Sequence, residues 1–136
     1  MASMLSPHVV TQITEILDQR FGLDTLYVFG STATGRARAD SDIDLAILAR
    51  RRPEGLEMID VREDLAARLG QPVDLVLLDQ VSPVIAMQVL AHGERLIDRN
   101  PRRRAEVEAR VLSTYADLKR VRAPIEEAIR ARHAHG

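Results

Sequence analysis

Asp42-Ile43-Asp44-Leu45-Ala46-Ile47-Leu48 alternates acidic and aliphatic side chains and then becomes wholly apolar. Period two is the spacing of a β-strand, so Asp42, Asp44 and Ala46 share one face while Ile43, Leu45 and Ile47 share the other. Upstream, Leu26-Tyr27-Val28-Phe29 is β-branched and aromatic and reads as a buried strand ending at Gly30. Downstream, residues 73–78 form a third apolar run, interrupted by Asp74. A helix separates the second run from the third, with Met58, Val61, Leu65 and Leu69 on one face and Gly70 as its stop. Such a strand–helix–strand unit favours a right-handed crossover and a parallel pair. If the short link between the first two strands makes them antiparallel, Gly30, Asp42, Asp44 and Asp74 all arrive at one end of one mixed sheet.

The flanking elements fit an α+β fold. Ser6-Pro7 reads as an N-cap with proline in the first helical turn, and Val10, Ile13 and Leu17 follow at helical spacing before Gly22. Ser82-Pro83 opens another helix, which runs to about His92-Gly93, and Leu96-Ile97 reads as a short last strand. Asn100-Pro101 begins a long helical segment. Val107, Val111, Tyr115, Leu118, Val121, Ile125 and Ile129 give it an apolar stripe, and Pro124 should kink or split it near Ala123. A chain of 136 residues suits one domain, with a core over about 6–98 and the helical segment over about 100–133.

Composition narrows the function classes. Nineteen basic against 20 acidic residues give a net charge of -1, and aromatic content is 3%. Direct nucleic-acid binding is therefore not expected, whether by a basic face or by stacking on aromatic rings. No apolar run approaches membrane-spanning length, and the absence of cysteine suits a reducing, cytoplasmic setting. The four histidines show no metal-binding spacing. Arg102-Arg103-Arg104 reads foremost as a solvated face, with a contact to an acidic partner or RNA as the alternative.

Gly30-Ser31-Thr32-Ala33-Thr34-Gly35 is a glycine-bracketed turn. Glycine permits close backbone approach, and a helical turn opening at Ser31 would aim N–H groups at a phosphate. Asp42 and Asp44, two apart in a strand, would carry like charges a few ångströms from each other. A divalent cation removes that conflict, and Mg²⁺ prefers oxygen ligands. A charge at Asp74 in an apolar strand is costly unless paired or metal-bound. Each piece alone has a duller reading. The glycines suit an ordinary turn, the Asp-x-Asp an exposed strand edge, and Asp74 an ion pair with a nearby arginine.

Taken together, Gly30-Ser31, Gly35, Ser41-Asp42-Ile43-Asp44-Leu45 and Asp74 resemble the signature of the polymerase-β-type nucleotidyltransferase superfamily. The match covers about residues 24–79 and, more loosely, Tyr115-Ala116-Asp117-Leu118. The short chain is similar to the minimal nucleotidyltransferase branch, which includes the MntA-type adenylyltransferase antitoxins paired with HEPN toxins. The resemblance implies that Asp42, Asp44 and Asp74 form the catalytic set and bind one or two Mg²⁺ ions. Asp74 would also help to deprotonate the acceptor hydroxyl. Gly30, Ser31, Gly35, Arg38 and Ser41 would bind the nucleotide. Thr34 stands where many relatives carry arginine, and Arg36 could substitute for it. The implied activity is transfer of AMP from ATP to a hydroxyl, foremost a tyrosine, of a cognate HEPN toxin within a homo- or hetero-oligomer. Two alternatives are a non-catalytic antitoxin acting by occlusion and a small-molecule, aminoglycoside-type nucleotidyltransferase.

Overall fold

The computed structural model describes residues 5–30 and 42–134. The first helix, α1 (Pro7–Arg20), starts where the Ser6 side chain accepts a hydrogen bond from the Val9 N–H at 3.2 Å. It ends where the N–H groups of Phe21 and Gly22 both donate to the Leu17 carbonyl. Strands β1 (Leu23–Phe29) and β2 (Ile43–Ala49) pair antiparallel. Helix α2 (Glu57–Leu69) crosses over to β3 (Val73–Leu77), which pairs parallel with β2. Helix α3 (Pro83–His92), capped by Ser82, leads to β4 (Glu94–Asp98), and α4 (Pro101–Ala134) completes the chain. The sheet order is β3-β2-β1-β4, so the mixed sheet and its parallel pair are those the sequence predicts.

Strand alternation sorts the core into two layers. Leu26, Val28, Ile43, Leu45 and Ile47 turn toward Ile13 and Leu17 of α1 and Val61 and Leu65 of α2. Tyr27, Ala46 and Leu48 turn the other way, toward Ala86 and Val89 of α3 and Val107 and Val111 of α4. Asp44 lies on this second face, ahead of Ala46 and Leu48 in the strand.

Several expectations need correction. Strand β1 begins at Leu23, three residues before the apolar run, and so includes Asp24, which is only 7% exposed. Its charge is met by Arg50 at 3.2 Å and Arg103 at 3.3 Å, pairings that offset the cost of burial. The arginine run after Pro101 is not a uniformly solvated face. Arg103 also donates to the Ala49 carbonyl at 2.6 Å, and Arg104 pairs with Asp98 and Glu108. Only Arg102 stays almost fully open. Helix α4 continues through Pro124 instead of splitting at Ala123. The proline removes the N–H that would bond the Arg120 carbonyl, but residues 119–133 are all exposed, so water can satisfy that oxygen. Among the described residues, no helix is long and apolar enough to cross a membrane.

Candidate active site

The site grows from strand ends. Phe29 pairs with Asp44 across the antiparallel ladder, and Asp44 pairs with Asp74 across the parallel one. Neighbouring strands lie about 5 Å apart, so the two carboxylate-bearing residues are immediate neighbours on one face. The Ile43 N–H donates to the Pro72 carbonyl at 2.9 Å and ties the starts of β2 and β3 together. Asp42 precedes β2 directly and is exposed. Gly30 leaves β1 with φ +68° against the Asp44 side chain. A methyl group built on Gly30 would overlap Asp44 Oδ2 and lie 3.1 Å from Asp44 Cγ. Glycine is required twice over at this position, for its backbone angle and for the carboxylate beside it.

The electrostatics agree with this geometry. Burial pushes the Asp44 carboxyl above its ordinary range, and the charges of Asp74 and Asp42 push it further. Both neighbouring carboxylates thus act on Asp44. A folded-state pKa raised in this way means that the native protein holds the proton more tightly than the unfolded chain. Stability therefore falls as pH rises from the ordinary carboxylate range through the raised value, and the penalty persists at neutral pH. Asp44→Asn removes it. In cation-free buffer at neutral pH the variant should melt a few degrees higher, and the gap should close on acidification. Thermal denaturation across a pH series measures both.

Asp74 is not the buried charge that its apolar run suggested. Strand β3 is an edge of the sheet, and the Asp74 side chain is 49% exposed, with Oδ1 at 3.7 Å from Arg62 Nη1. The ion pair considered from sequence is present, although no local spacing links residue 62 to residue 74. Among the described residues, no three acidic or histidine side chains are gathered closely enough to form a ready-made metal cage. Even so, the donors fit a hard divalent cation: all three are carboxylates, the pair in register is mutually repulsive, and Gly30 has no side chain to displace the Asp44 carboxylate. A cationic recess of about 240 Å³ lined by Arg50, Arg52 and Arg103 lies at the other end of the sheet. Five strand residues, roughly 17 Å, separate Ala49 from Asp44. Arg50 and Arg103 are already paired with Asp24, so that recess does not serve the carboxylates. Ser31, Gly35, Arg38 and Ser41, with Thr34 and Arg36, lie outside the described residues.

A strand-end aspartate pair lies beside a glycine, with a third aspartate on the adjacent parallel strand. Residues 11–102, which include this arrangement, match the family described as polymerase beta, nucleotidyltransferase. The chain belongs to that family. This nucleotidyltransferase is 38% identical over 82 residues to a protein adenylyltransferase MntA of Thermococcus cleftensis, covering 60% of this chain and 83% of that protein. A crystal structure of a toxin-antitoxin with AMP-PNP matches with a TM-score of 0.79 and 27% identity, over 92% of this chain and 98% of the other. A complex of tri-AMPylated Shewanella oneidensis HEPN toxin with MNT antitoxin matches at 0.74 and 26% identity, over 90% and 96%. These structural matches cover a larger share of the chain than the family match does.

Proposed function

We propose that this nucleotidyltransferase is a protein adenylyltransferase that moves AMP from ATP to a hydroxyl, foremost a tyrosine, of a HEPN-type toxin and thereby acts as its antitoxin. The observation that carries the reading is the strand register that sets Asp44 beside Asp74 with Gly30 against Asp44. The similarity to an MntA adenylyltransferase, and to toxin-antitoxin structures with AMP-PNP or an AMPylated toxin, supports the choice of ATP and of a protein acceptor.

In the reaction the acceptor oxygen forms a bond to the α-phosphorus of ATP, the bond from that phosphorus to the bridging oxygen breaks, and pyrophosphate leaves. Asp42, Asp44 and Asp74 would hold Mg²⁺, as one or two ions. The cation would supply charge neutralisation at the phosphates and polarise the phosphorus. Asp44, in the least solvated position, fixes the site against Gly30. Asp74, half exposed at the sheet edge, can take the acceptor's proton and pass it to water. Gly30 would bind the nucleotide through its backbone while leaving room for the Asp44 carboxylate. Ser31, Gly35, Arg38 and Ser41 would complete the nucleotide contacts. A chain without cysteine suits the cytoplasm, where we place this activity.

The partner surface we assign to α4. Leu112, Val121, Ile125 and Ile129 are 49%, 71%, 62% and 51% exposed on it. Buried anchors of this kind dominate protein interfaces when they are covered. Ile125→Asp with Ile129→Asp should weaken toxin binding about tenfold or more, read by calorimetry, without lowering the melting temperature. This exposed ridge also favours a second reading, in which the protein neutralises its partner by occlusion alone. Incubation with Mg²⁺, the partner and ATP labelled at either the α or the γ phosphate separates the two. Transfer requires α label on the toxin and γ label in pyrophosphate. Occlusion leaves the toxin unlabelled in a tight complex. With an aminoglycoside added to the same incubation, α label on it instead of on a protein would point to small-molecule transfer.

A further inference from the structure

Arg62 follows the buried Val61 on α2 and reaches the rim of the site, with Nη1 at 3.7 Å from Asp74 Oδ1. The two side chains are 40% and 49% exposed. Asp74 stands in register with Asp44 on the adjacent strand, yet the described acidic groups do not close into a cation-holding set. A guanidinium carries one positive charge on a planar group anchored to its own helix. It can neutralise one carboxylate, but it cannot draw three oxygen donors around a point as a small divalent cation does.

We propose that Arg62 is an internal counter-ion for Asp74, one that holds this carboxylate while no divalent cation is bound and yields it when one arrives. The inference rests on the reading that Asp42, Asp44 and Asp74 take up Mg²⁺. It gives Arg62 a positioning role: the residue acts through Asp74 and keeps the site from closing on a cation prematurely. A half-exposed ion pair is weak enough to be exchanged, so the competition lowers cation affinity without preventing binding.

Mn²⁺ titration of the full chain, followed by calorimetry and by the loss of the free-ion paramagnetic signal, tests this without reference to turnover. Arg62→Gln should bind Mn²⁺ about two- to fivefold more tightly than the unaltered protein, in keeping with the modest strength of an exposed pair. Arg62→Lys, which keeps the charge, should fall between the two. In an Asp74→Asn background at high ionic strength, Arg62→Gln should leave the affinity nearly unchanged, because the carboxylate through which Arg62 acts is gone. Unchanged or weaker binding by Arg62→Gln overturns the proposal. So does an equal gain in the Asp74→Asn background, which would mark a general field effect. Failure of the unaltered protein to bind Mn²⁺ with or without AMP-PNP would remove the parent reading and this inference together. Normal Mn²⁺ binding with no Arg62 effect removes only the inference.

Discussion

Asp44→Asn is expected to lower AMP transfer about a thousandfold while leaving the protein folded. The magnitude is that of deleting one preorganised electrostatic group from a site where charge develops. Asp44 is the best placed of the three carboxylates for this role. It is the one that burial and both neighbours push toward protonation, and the one against which Gly30 is packed. Asparagine keeps the shape and removes the charge, so the loss cannot be assigned to a cavity or to unfolding. The same substitution should raise stability in cation-free buffer. A gain in melting temperature combined with a collapse in turnover is a pairing that a purely structural carboxylate would not produce. Transfer rates measured with α-labelled ATP, alongside thermal denaturation, give both numbers on one preparation.

The second large effect belongs to Gly30. Alanine there must adopt a φ of +68° and must also displace the Asp44 carboxylate that its methyl group would overlap. The backbone cost alone is about 1–2 kcal/mol. Gly70 supplies the control: its φ is +69°, but a methyl group built there meets nothing within 4 Å. Gly30→Ala and Gly70→Ala should therefore share the backbone penalty in denaturant unfolding. Only Gly30→Ala should impair transfer, by about a hundredfold, since misplacing a reacting group by an ångström has effects of that order. Equal activity in the two variants would mean that the glycine serves the turn and not the carboxylate.

Much of the topology was legible because it depends on local pattern plus handedness. The alternation at Asp42-Ile43-Asp44, the helix over 57–69 and the run after Pro72 leave little freedom once parallel strands must cross over right-handed. That logic also brings Gly30 and the three aspartates to one sheet end. What stayed hidden depends on partners distant in sequence. The strand read from Leu26 left out Asp24, whose burial depends on compensating cations from Arg50 and Arg103. The burial of Asp74 was misjudged because edge position follows from the strand order of the whole sheet. Arg62 carried no signal at all, since only the crossover brings α2 over the start of β3. Whether Pro124 would split α4 was left open by the sequence for a different reason. A helix exposed on all sides can leave a carbonyl to water, which a packed helix cannot do.

The central claim is that this carboxylate site modifies a partner covalently. The most direct measurement is the intact mass of the toxin recovered after co-expression with the unaltered protein, and with Asp42→Asn combined with Asp44→Asn at equal abundance. The account predicts a toxin heavier by one or more AMP groups with the former, and an unmodified, active toxin with the latter. A toxin that is silenced equally by both, with no gain in mass, would contradict it and leave occlusion as the working principle.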